Sequence, residues 1–138
     1  MRRTTSLHVA VFLLLTALLS RAREDRLTNT GAAPAAQGKV VTSTDRNGNT
    51  KIEVQVKHMA TPESLTPSRH AYVVWLAPRG QQPQVMGVLR INGDTLEGSV
   101  TGTTTEKVFD VVVTAEDNAS PTSPMGTEIL KGTVERHD

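Results

Sequence analysis

Residues 39–59 read KVVTSTDRNGNTKIEVQVKHM, and this stretch decides the fold class. From Thr50 it alternates, with Ile52, Val54 and Val56 on one side of an extended chain and Glu53, Gln55 and Lys57 on the other. Successive side chains of a strand point to opposite faces, so the spacing predicts a strand from Thr50 to Met59 with one dry and one wet face. Lys39 to Thr44 supplies the strand before it. Between them, Asp45-Arg46-Asn47-Gly48-Asn49 contains Asn-Gly, whose residues tolerate the positive φ of a tight hairpin turn.

Toward the C-terminus the same grammar recurs. Ala60 to Arg69 contains Pro62 and Pro67 and predicts an irregular crossover, because each proline removes a ladder donor and restrains the residue before it. AYVVWLAP then runs apolar without alternation from Ala71 to Ala77, which predicts a central strand covered on both faces, with Trp75 at the centre of the core. Pro78-Arg79-Gly80 turns the chain. Val85 to Ile91 follows, then Asn92-Gly93-Asp94 as a second tight-turn signal before Thr95 to Thr101. Val108 to Ala115 is strongly β-branched, Asp117 to Thr127 is a loop of Pro, Ser and Gly, and Glu128 to Glu135 closes the chain as an edge strand. Seven strands without a helical pattern between them predict an all-β fold, a seven-stranded antiparallel β-sandwich of immunoglobulin-like type over residues 39–138.

Toward the N-terminus the pattern changes. Arg2 and Arg3 precede an apolar run from Val9 to Leu19, followed by the small residues Ser20 and Ala22. A run of eleven residues is too short for a bilayer, which needs roughly 20. Residues 1–22 therefore read as a cleavable signal peptide, with processing after Ala22 and a later small-residue site at Ala35 and Ala36. Residues 23–38, ending in GAAPAAQG, have no burial pattern and predict a flexible leader or linker. The expected location is secreted or periplasmic, in a bacterial envelope, with no stable membrane anchor after cleavage.

Composition narrows function mainly by exclusion. Arg2, Arg3 and Arg21 account for three of the fifteen Lys and Arg residues, leaving twelve against fourteen Asp and Glu. A weakly acidic domain without a basic cluster does not gather phosphate, so no nucleic-acid partner is expected. Cysteine is absent, which excludes disulfides, thiol catalysis and Cys-ligated zinc. Asp45 to Asn49 resembles the start of a calcium loop, but Thr50 and Val56 stand where an EF-hand has Gly and Glu, so a hairpin turn is the expectation. His58, Met59, His70, Met86, Met125 and His137 offer copper-type donors in no ligand spacing. No GxSxG or SxxK occurs, and Glu116 and Asp117 are strand neighbours whose side chains diverge. Asn118-Ala119-Ser120 is a formal glycosylation sequon. No catalytic, cofactor-binding or metal-binding residue is assigned, and an enzyme is not expected.

YVVWL at 72–76, MGVL at 86–89, FDVVVTAED at 109–117, and SPTSPMG at 120–126 with EIL at 128–130 together resemble the extracytoplasmic C-terminal domain of the anti-sigma-K factor family. The likeness covers roughly residues 71–134. It implies a β-sandwich on the outer side of a membrane, belonging to a protein whose cytoplasmic segment holds a sigma factor. Only about eight residues precede the apolar run, so this chain is expected to lack that segment, and Asp117 stands where the family has proline. The resulting expectation is an exported, non-catalytic binding domain for another exported or envelope protein, with contacts at 60–69 and 117–127. The alternatives are a regulatory component of an extracytoplasmic sigma-factor pathway and an envelope protein binding copper or calcium.

Overall fold

The hairpin read from residues 39–59 is present in the computed structural model, which describes residues 22–137. It consists of β2 (Gln37–Thr44) and β3 (Thr50–Lys57), paired antiparallel from Gln37 opposite Lys57 to Thr44 opposite Thr50. Gly48 takes φ +81°, and Asp45 Oδ1 accepts the backbone N–H groups of Asn47 and Asn49 at 2.8 and 2.9 Å. Ile52, Val54 and Val56 are buried while Lys51 and Lys57 are exposed, as the alternation requires. The strand ends two residues earlier than expected because His58 adopts φ 53°, a left-handed conformation that breaks the extended chain.

Among the described residues the remaining elements are β1 (Arg23–Asn29), β4 (Ala71–Pro78), β5 (Gln84–Leu89), β6 (Gly98–Thr104), β7 (Val108–Glu116) and β8 (Thr127–Glu135), with a single 3-10 turn at Pro62–Ser64. All pairings are antiparallel, in the order β5-β4-β7-β8-β1-β2-β3-β6. The all-β antiparallel expectation is borne out, with eight strands among the described residues in place of seven. Arg23 to Leu27 of β1 pair with β2, whereas Thr28 and Asn29 pair with β8, so β1 joins two halves of one rolled sheet. The ends of the roll meet where β5 lies against β6. There Gly87 and Gly102 make room, since an added Cβ would stand 2.7 Å from Val100 Cγ2 and 2.6 Å from Met86 Cγ respectively.

Strand β1 corrects the expectation of a flexible leader over residues 23–38. Its charged residues hide it from a burial-based reading, and of its side chains only Leu27 is buried. Its position comes from the backbone ladder and from two glycines. An added Cβ at Gly38 or at Gly132 would fall 3.0 and 2.8 Å from the Leu27 methyls. The same strand removes β8 from the edge, because β8 lies between β7 and β1. A register shift between Val113 and Thr114 turns both Ile129 and Leu130 of β8 inward. Asn92 to Glu97 connects strands that do not pair with each other: β5 pairs with β4, and β6 with β3. The proposed export signal lies outside the described residues apart from Ala22.

Trp75 also differs from expectation. The core contains Tyr72, Val74 and Leu76 of β4 with Ile52, Val54, Phe109, Val111 and Ile129. Alternation places Val73 and Trp75 on the opposite face of β4. Both are fully buried there, and Trp75 Nε1–H donates to Thr114 Oγ1 at 2.9 Å.

Candidate functional site

The crossover between β3 and β4 and the loop between β7 and β8 are the longest connections around the second half of the sheet, and they converge at one end of the molecule. Arg69, the last residue but one before β4, pairs through Nη1 with Asp117 Oδ1 at 3.0 Å, and its Nη2 lies 3.5 Å from Thr127 Oγ1. His70 N–H donates to the Glu116 carbonyl at 3.0 Å. Glu116 points from the end of β7 into this junction and is 2% exposed, with its Oε1 accepting the Met125 N–H at 2.8 Å. A side chain at Gly126 would collide with the Ala115 carbonyl at 1.8 Å, so the loop can close over Glu116 only with glycine there. Held in this way, the loop presents Met125 to solvent at 84% exposure.

The crossover is anchored separately. Ser64 N–H and Leu65 N–H close the short 3-10 turn onto the Thr61 and Pro62 carbonyls. Tyr72 O–H donates to the Ala60 carbonyl at 2.6 Å. Burial of the phenol, reinforced by the negative charge of Glu63, pushes its pKa up to about 12. The two segments named from sequence as contact regions are thus joined at their bases. Arg69, the residue that joins them, was not singled out, because a single arginine at the end of a proline-containing segment carries no local signal.

The other candidates disperse. Asp45 spends its Oδ1 on two turn amides. Met59 is buried in the core and Met86 packs against it beside Gly102, whereas His58, His70 and His137 are exposed. Among the described residues no group of three or more His, Asp or Glu side chains is arranged to hold a metal ion. Glu116 is buried and Asp117 exposed, which separates the two carboxylates. Asn118 is exposed, with its Oδ1 accepting the Ser120 N–H at 2.9 Å.

Away from this junction, a concavity of about 620 Å³ lies across β1, β2 and β3. Arg26, Lys39, Gln55 and Lys57 line it, with Lys39 Nζ held 3.1 Å from Glu24 Oε1. It escaped the sequence reading because it exists only once β1 is added beside β2. Among the described residues no helix is long and apolar enough to cross a membrane.

Against this geometry, one family profile, described as "Anti-sigma-K factor rskA, C-terminal", matches residues 5–127. The matched span begins upstream of the apolar run, includes β1 to β7 and the 117–126 loop, and stops at the first residue of β8. Neither the curated proteins nor the solved structures contain a match to this chain.

Proposed function

The chain belongs to the anti-sigma-K factor C-terminal family, and from that premise we propose that it is an exported, non-catalytic binding module acting in an extracytoplasmic sigma-factor pathway. The family is one of anti-sigma-factor-related regulatory domains. The finer proposal is that this domain works outside the cytoplasm, in the periplasm or beyond, and contacts another exported or envelope protein through residues 60–69 and 117–127.

One observation carries the proposal: two long connections are fixed to each other at their bases by Arg69, Asp117 and Glu116, while Met125 stands free at the tip. Binding loops on a rigid scaffold have this form, with fixed roots and an exposed apolar tip. The arginine-rich start and apolar run at residues 2–19 support export.

The test is recovery of a partner from envelope extract on immobilised protein, compared with a Met125→Ser, Pro124→Ser variant. A protein retained by the first and lost from the second supports the proposal, and its identity names the pathway. Equal recovery on both would move the contact surface away from this loop. Export is tested separately, by N-terminal sequencing of the protein collected outside the cytoplasm, where Arg23 is the expected first residue.

A further inference from the structure

Strands β1, β2 and β3 carry their outward charges in rows. Glu24, Val41 and Glu53 form one row across the three strands, and Arg26, Lys39 and Gln55 form the next. Gln37 and Lys57 form a third, which β1 does not join because Thr28 and Asn29 leave to pair with β8. Arg26 therefore stands directly opposite Lys39, and like charges so placed destabilise an antiparallel pair. The carboxylates of the first row are engaged: Glu24 Oε1 holds Lys39 Nζ at 3.1 Å, and Glu53 Oε1 accepts the Gln55 Nε2–H at 2.9 Å. Arg26 and Lys57 are exposed, and neither has an ion pair among the described residues.

The concavity of about 620 Å³ lies where β1 parts from β2, and Arg26, Lys39 and Lys57 line it together with the Gln37 amide and the engaged Glu24. The three cations come from three different strands, so the fold assembles a positive patch that no run of sequence displays, on a domain with fewer basic than acidic residues. We propose that this concavity binds an acidic peptide segment of a partner protein. Arg26 offers the planar pair of donors that a carboxylate fits with two hydrogen bonds, and Lys57 offers a point charge to a second carboxylate. Two strand spacings and one two-residue step separate them, roughly 12 Å between Cα atoms, close to the spacing of side chains four residues apart in an extended peptide. The Gln37 amide, opposite Lys57, supplies a donor and an acceptor for peptide groups. Among the described residues no aromatic ring is free to stack on a nucleobase or a sugar, since Tyr72, Trp75 and Phe109 are buried with β4 and β7. The concavity does not include the 117–127 loop, so this site and the loop contact stand or fall separately.

Fluorescence anisotropy of a dye-labelled peptide of alternating Glu and Ser, titrated with the full-length protein, tests the site. Binding is expected to weaken as salt is raised, and the same peptide with Gln in place of Glu is expected to bind at least about five-fold more weakly. Arg26→Gln and Lys57→Gln are each expected to weaken the Glu peptide by about five-fold, and Glu24→Gln, which releases Lys39, to tighten it by about two-fold. Arg46→Gln, in the turn at the other end of the hairpin, and Met125→Ser are expected to change nothing. Because Arg26 faces Lys39 without a carboxylate of its own, Arg26→Gln is expected to keep or raise the melting temperature, where loss of a structural arginine would lower it. Equal binding of the Glu and Gln peptides, or an equal loss in Arg46→Gln, would overturn the proposal. So would an acidic polysaccharide such as polygalacturonate binding through Arg26 and Lys57 while the Glu peptide does not.

Discussion

The two halves of the rolled sheet solve the same burial problem differently. In β2 and β3 every second residue is dry: Val40, Thr42, Ile52, Val54 and Val56 face the core, and Lys51, Glu53, Gln55 and Lys57 face outward. In β4 and the second half of β7 the dry residues are consecutive, from Ala71 to Leu76 and from Val113 to Glu116. Alternation marks a sheet with water on one side, and its loss marks a sheet covered on both. The comparison teaches that an unbroken apolar run in a small β-domain identifies a covered outer face as well as a central strand.

The sharpest way to break the comparison is to remove side chains from each half. Ile52→Ala deletes a fully buried core side chain and is expected to cost about 3 kcal/mol in a chemical denaturation experiment. Gln55→Ala, three residues along the same strand but on its wet face, is expected to change stability by less than about 0.5 kcal/mol. Similar losses at both positions would mean that β3 is covered on both sides, as β4 is.

Glycine substitutions sharpen the comparison next, because the two ends of the fold close against different materials. At Gly126 an added methyl meets the Ala115 carbonyl and the Glu116 carboxylate, neither of which can withdraw from the end of β7. Gly126→Ala is expected to cost roughly 2–3 kcal/mol by overpacking. At Gly102 the obstacle is the Met86 side chain, which is flexible, so Gly102→Ala is expected to cost less than about 1 kcal/mol. Thermal melts of the two variants under one set of conditions check the ranking.

These contrasts also show what the sequence could reveal. Strands β2 to β8 were legible because each carries β-branched or apolar residues between turn signals, and their positions followed with small boundary shifts. Strand β1 was not, since Arg23, Glu24, Asp25 and Arg26 give no apolar period and the strand is held by backbone bonds and by the space left at Gly38 and Gly132. One omission produced three errors: β8 was placed at an edge, the leader was taken as flexible, and the concavity beside Arg26 and Lys57 went unseen. At the candidate site the loops could be named as loops, but their union through Arg69 is a contact between residues 48 positions apart, which no local pattern encodes.

Tyr72 tests the dry half by titration. A phenol with its pKa near 10 in the unfolded chain and about 12 in the folded one keeps its proton longer when folded. Its contribution is therefore whole below pH 10 and is lost as pH rises from 10 to 12, up to roughly 2.7 kcal/mol in all. Tyr72→Phe is expected to remove that part of the alkaline slope, at a cost of about 1 kcal/mol near neutral pH for the bond to the Ala60 carbonyl. A slope unchanged in the Phe variant would assign the alkaline loss to other groups.

The smallest expected effect is at the ion pair that joins the candidate loops, and there the two partners should differ. Asp117 is 74% exposed, so its attraction to Arg69 is screened by water, and Asp117→Asn is expected to cost less than about 0.5 kcal/mol, with the difference vanishing in high salt. Arg69 is only 22% exposed, its Nε is buried, and its stem packs where the crossover meets the β7–β8 loop. Arg69→Ala therefore removes packing as well as charge and is expected to cost about 1 kcal/mol, with little dependence on salt. A double-mutant cycle separates the two contributions: the coupling measures the ion pair, and the remainder of the Arg69 effect measures the packing that holds the loop bases together. If both single variants prove equal and equally sensitive to salt, Arg69 is only a surface charge, and the loops owe their relative position to Glu116 and Gly126 alone.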